Sequence, residues 1–140
     1  MKLIGFNYTK MKIEKYKDSL KDIKLSSQLD IIDIEQVKQE VFKSEEEFLA
    51  VRFKYIIDYS PDMAIIDLEG NVLVSVSSKL AKDVIKQWKE KKMPEEFNIP
   101  LFNIILRKAG LKALQIEEEM NLPHHIQLPS LRKQEESSKK

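Results

Sequence analysis

The segment Asn98–Pro129, NIPLFNIILRKAGLKALQIEEEMNLPHHIQLP, constrains this chain most. It is the longest helical pattern in the sequence and ends in an apolar stretch bounded by two prolines. Asn98 is a capping residue, and Pro100 suits a first helical turn, where a fixed φ and a missing N–H cost nothing. Phe102, Ile105, Ala109, Ala113, Ile116 and Met120 recur at steps of three and four, so one face is continuously apolar and must be buried. A second row, Ile104, Leu111 and Leu114 with Arg107 among them, lies a quarter to half a turn away. A helix apolar on two sides needs two partners. The first stripe is expected to pack on a sheet and the second on another subunit; the competing reading is one thick core covering both.

Upstream, the pattern is strand after strand. Leu3–Tyr16 alternates as Ile4, Phe6 and Tyr8, then shifts phase to Met11 and Ile13, which predicts a bulge or bend. Lys15–Lys24 reads as a charged connector. Gln28–Glu40, with Leu29, Ile31, Ile32 and Ile34, reads as a strand, and Lys43–Glu47 as a solvated turn. In Phe48–Tyr59, Val51, Phe53, Tyr55, Ile57 and Tyr59 alternate with Arg52, Lys54, Ile56 and Asp58, the clearest strand in the chain. Ser60–Pro61–Asp62 turns it. Met63–Ser78 forms two alternating runs about Glu69–Gly70–Asn71. These fit either a hairpin with a Gly–Asn turn or one strand bulged at Gly70. Ser77 or Ser78 then caps a helix with Leu80, Ala81, Val84, Ile85 and Trp88 on one face, ending near Pro94. Strands first and helices second predict an α+β domain, an antiparallel sheet with helices packed on one face. It is expected to span residues 1–131, with a disordered polar tail at 132–140.

The totals exclude several functions. With 140 residues the chain suits one domain of modest core. Its 24 basic and 23 acidic residues leave a net charge of +1, which supplies no global field for nucleic acid or anionic lipid. Cysteine is absent, which removes disulfides and thiolate chemistry. No apolar run has the length of a secretory core or a membrane span, so a cytoplasmic protein without membrane insertion is expected. Arg52–Phe53–Lys54–Tyr55 interleaves basic and aromatic residues, but alternation puts them on opposite faces, where they make no stacking platform for bases.

Candidates for catalysis are few. His124 and His125 are adjacent, so in an extended loop they point opposite ways and share no metal; a structural or solvent-facing role is expected. Glu117–Glu119 reads as a solvated turn of helix, because contiguous carboxylates fan around the axis. Asp67 is a lone acid among apolar strand residues with no partner nearby in sequence. Gly5, Gly70 and Gly110 are too scattered to cradle phosphate. No catalytic residue, metal or cofactor is expected, and the chain is read as a non-enzyme. Its remaining resource is apolar surface.

On these residues the sequence resembles the SecB-type export chaperones. Phe6–Tyr16, FNYTKMKIEKY, is similar to that family's first strand, with its Tyr-Thr-Lys triplet. SSQLDIIDIE, the strand at Val51–Tyr59, and MAIIDLEGNVLVSV look like its second, third and fourth strands. The helix opening Asn98-Ile99-Pro100-Leu101-Phe102, followed by Asn121-Leu122-Pro123 and Ile126-Gln127-Leu128-Pro129, is similar to the family's long helix and its proline-bounded apolar loop. The likeness covers about residues 4–130.

The resemblance implies a four-stranded antiparallel sheet with a long helix on one face, and it favours the single bulged strand at Gly70. It further implies sheets paired edge to edge, helices joining two dimers into a homotetramer, and apolar grooves that hold unfolded polypeptide without ATP, in protein export or holding. The expected groove lining is Tyr55, Tyr59, Ile65, Leu122, Ile126 and Leu128. The expected oligomer interface is Ile104, Arg107, Leu111 and Leu114. Docking to a translocation ATPase is not carried over, because Arg52 and Lys54 stand on a sheet face that is acidic in that family. An adaptor of the same fold, binding one folded protein, is the alternative reading.

Overall fold

A computed structural model describes residues 1–18, 21–38 and 46–129. Four long strands come first: β1 (Lys2–Lys15), β2 (Lys24–Val37), β3 (Glu46–Ser60) and β4 (Ala64–Ser77). Two helices follow, α1 (Ser78–Trp88) and α2 (Glu95–Met120). The strands form one antiparallel sheet in the order β1-β4-β3-β2, so β1 and β2 are its edges. Most of the predicted turn at Lys43–Glu47, and the tail from residue 130 on, lie outside the described residues; Glu46 and Glu47 already belong to β3.

Alternation decides which face is buried. In β3, Leu49, Val51, Phe53, Tyr55, Ile57 and Tyr59 are buried, and in β4 so are Ala64, Ile66, Leu68, Val72, Val74 and Val76. These residues are register neighbours, so they share one face, and both helices lie over it. Phe97, Leu101, Ile105, Ala109, Ala113 and Ile116 of α2 and Ala81 and Val84 of α1 complete the core. Arg52, Lys54, Asp58, Ile65, Asp67 and Glu69 fall on the opposite, outer face. Asp67 finds a partner distant in sequence there: Lys10 of β1, 2.9 Å away.

The phase shift in the first strand is a bulge. Tyr8 pairs with Gly70 and Lys10 with Glu69, which leaves Thr9 as the extra residue; Ile4 makes a second irregularity. β4 itself runs unbroken from Ala64 to Ser77, so Gly70 makes no hairpin. A Cβ at Gly70 would collide with the Asn7 carbonyl oxygen of β1 and come within 3.0 Å of the Phe53 ring. Glycine is needed there for close approach of neighbouring groups, and the bulge lies across the ladder in β1.

Ser77 caps α1, its hydroxyl accepting from the Leu80 N–H at 3.2 Å. The long helix is capped four residues earlier than expected. Pro94 is its N-cap, Glu95 and Glu96 occupy the first turn, where negative charge suits the helix dipole, and the Pro94 carbonyl accepts from Phe97 and Asn98. Asn98 is therefore not the cap. Its side-chain oxygen is buried without a hydrogen-bond partner among the described residues. Pro100 sits inside the helix, where it removes the N–H that would reach the Glu96 carbonyl.

Candidate functional site

The C-terminal end of α2 builds the site. Asn121 adopts the left-handed conformation (φ 53°), and the Leu122 N–H returns to the Glu117 carbonyl at 2.8 Å. This reversal closes the last turn and directs Leu122 into the core. Lys15 of β1 donates to the Met120 carbonyl at 3.1 Å, which places a cation at the negative end of the helix. Residues 122–126 then fold back against α2.

A buried carboxylate fastens that return. Glu117 is 0% exposed. It accepts from the Tyr59 hydroxyl, from the His125 backbone N–H at 2.9 Å and from His125 Nδ1 at 2.8 Å. The Tyr59 oxygen also lies 3.0 Å from the Pro123 carbonyl, so strand β3, helix α2 and the loop meet at one point. A buried carboxylate is tolerated only when its lone pairs are met, and here three donors meet them. Burial, followed by the neighbouring Glu117, holds the Tyr59 phenol well above the ordinary tyrosine range. Burial also raises Tyr55, partly offset by a hydrogen bond with Ser27. His125 stands edge-on to Tyr55, ring centroids 6.3 Å apart. His124 pairs with Glu118 on the outside of the same turn.

Beside this seam lies an open groove of about 550 Å³, lined by Ser27, Tyr55, Leu106, Arg107, Gly110, Leu111, Leu114, His125 and Ile126. Its walls are the outer ridge of α2 and the returning loop, and its floor is sheet. Gly110 keeps it wide: a methyl there would sit 3.6 Å from His125 Nε2, in ordinary contact. A second groove of about 450 Å³ flanks the same ridge toward β1, lined by Leu3, Ile104, Arg107, Lys108 and Leu111. Leu106, Leu111 and Ile126 are exposed, Leu111 by 62%.

The residues singled out from the sequence are redistributed accordingly. Tyr55 and Ile126 line the first groove, together with Arg107, Leu111 and Leu114, which the sequence assigned to an oligomer interface. Ile104 lines the second groove. Four of the six expected lining residues are elsewhere. Tyr59 and Leu122 are buried in the core, Tyr59 because Glu117 and Pro123 engage its hydroxyl, and Ile65 is on the outer sheet face because it is out of phase with Ile66 and Leu68. Leu128 is exposed beyond the groove. Sequence reasoning missed Glu117, which is no solvated turn, and the part played by His125. Glu117 stands four residues after Ala113 and next to Ile116, in phase with the buried stripe, and that spacing was its only signal.

Neither a family model nor a curated protein matches the sequence. Among solved structures, the chain superposes on the SecB-like chaperone Rv1957 of Mycobacterium tuberculosis, in complex with a ChAD peptide from the Rv1956 HigA1 antitoxin. The TM-score is 0.53 at 9% sequence identity, over 94% of this chain and 87% of that one. The fold is SecB-like. The four-stranded antiparallel sheet with both helices on one face is the architecture expected from the sequence. Among the described residues no group of acids and histidines has a metal-binding arrangement, and no helix is long and apolar enough to cross a membrane.

Proposed function

We propose that this protein is an ATP-independent, chaperone-like binder of unfolded polypeptide, and that the groove between the α2 ridge and the returning loop is where it holds its client. The observation that carries this reading is the uncovered apolar ridge of α2, Leu106, Leu111 and Leu114, facing Tyr55 and Ile126 across an open cleft. Burying a leucine such as Leu111 under a client side chain yields about 1.5–3 kcal/mol. The SecB-like neighbour holds a peptide in its solved complex, which supports the same use of the fold here.

Assembly fits the same helix. Ile104 with Leu3 and Lys108 forms the far flank of the ridge, and we assign that flank to packing against another copy in a dimer of dimers in the cytoplasm. Arg107 and Leu111 border both grooves. At equimolar ratio the protein should slow aggregation of a chemically unfolded client, and the double substitution Leu111→Ser, Leu114→Ser should abolish that effect with the fold intact by circular dichroism. No protection by the wild-type protein removes the chaperone reading; capture of one folded partner in fixed stoichiometry replaces it with an adaptor.

A further inference from the structure

We propose that the groove selects apolar segments carrying an acidic side chain, and that Arg107 reads the carboxylate. This deepens the proposed function and rests on it.

The chain is balanced in charge, 24 basic against 23 acidic residues, so any electrostatic choice of client must be local. Locally the balance is broken. Among the described residues, the groove between ridge and loop contains Arg107 and His125 and no acid, and the adjoining groove contains Arg107 and Lys108 and no acid. Two of the carboxylates at the end of α2 are already engaged: Glu117 is buried under its three donors and Glu118 pairs with His124. Lys108 lies 5.9 Å over the Phe6 ring. Arg107 alone among these basic side chains has no ion pair, hydrogen bond or ring contact within the described residues, and it is solvent-exposed between two apolar clefts.

An apolar client seated on Leu106, Leu111 and Leu114 would strip water from that guanidinium. A covered, unpaired charge is costly, whereas a planar guanidinium meets a carboxylate through two parallel hydrogen bonds and is weakly hydrated to begin with. A client with no acid leaves Arg107 covered and unpaired, and one with a lysine adds repulsion. Selection thus comes from penalty as well as attraction. His125 lines the same groove wall: Glu117 accepts from its Nδ1, which turns Nε2 toward Gly110 and fixes the orientation of the ring.

The test uses the full chain and three short labelled peptides of one apolar sequence, differing only at a central Asp, Asn or Lys, read by fluorescence anisotropy. The Asp peptide should bind about fivefold to tenfold more tightly than the Asn peptide, with the Lys peptide weakest, and added salt should narrow the gap. Arg107→Gln should erase the Asp–Asn difference, and Arg107→Glu should make the Lys peptide the tightest. Because Arg107 has no partner among the described residues, both variants should fold, as thermal melts will verify. Equal binding of all three peptides overturns the selectivity and leaves the groove reading standing. A gap that survives Arg107→Gln overturns the role of Arg107. No binding by any peptide overturns both.

Discussion

Two stretches of α2 only a few residues apart invert the usual rule of burial. Around Glu117 a carboxylate, a phenol and an imidazole are sealed inside, while around Leu111 apolar side chains face water. The sealed part contributes position. It fastens the loop through His125 and Pro123 and so sets the distance of one groove wall from the other. The open part contributes surface. Buried polar clusters destabilise when one member is lost, and exposed apolar ridges are neutral to stability until something covers them. The two regions should therefore respond oppositely to mutation.

The largest effect is expected at the sealed end. Glu117→Ala leaves the two His125 donors unpaired and the Tyr59 hydroxyl with only the Pro123 carbonyl, and should cost about 3 kcal/mol or more in urea unfolding. Tyr59→Phe removes one donor and should cost about 1–2 kcal/mol. It should also change the alkaline limb of stability. The folded state retains the Tyr59 proton where the unfolded chain has lost it. That stability is complete below the ordinary tyrosine value near ~10 and declines as pH rises above it. Denaturation midpoints should fall above pH ~10 in the wild type and fall less steeply in Tyr59→Phe; Tyr55 and Tyr8 maintain a residual slope because burial raises them too.

Smaller effects separate position from surface more sharply. Gly110→Ala replaces a glycine inside a helix and meets only His125 Nε2 at 3.6 Å. It should gain up to about 1 kcal/mol of stability while narrowing the groove and weakening client binding, measured by melting and by aggregation assay on the same sample. Leu111→Gln should change stability by less than about 0.5 kcal/mol and still reduce client holding. A large stability loss on Leu111→Gln would place that side chain in the core and break the contrast.

Much of the fold was legible because strand alternation and helical spacing are local signals. Val51 to Tyr59 announces its buried face, and Ala109, Ala113 and Ile116 announce theirs. The start of α2 misled because Asn98 and Pro100 imitate a capped first turn, while the actual start rests on Pro94 and two glutamates. Gly70 imitated a turn because its requirement is tertiary: the backbone of β1 and the Phe53 ring press on it from strands far away in sequence. The site was less legible. Its two walls come from segments assigned to separate jobs, and only the folded-back loop brings Ile126 opposite Leu111 and Leu114. Ile65 was misplaced by one residue of phase, which in a strand is the whole distance from one face to the other. Glu117 stayed hidden because its three donors come from strand β3 and the loop.

The most direct measurement is methyl NMR of the full chain titrated with an unfolded client. The methyls of Leu106, Leu111, Leu114 and Ile126 line the groove, and those of Ile56, Ile65 and Leu73 report on the outer sheet face. The expected result is shift and broadening confined to the first group, with the second unmoved. Perturbation centred on Ile56, Ile65 and Leu73, with the groove methyls silent, would contradict the assignment of client holding to the α2 groove.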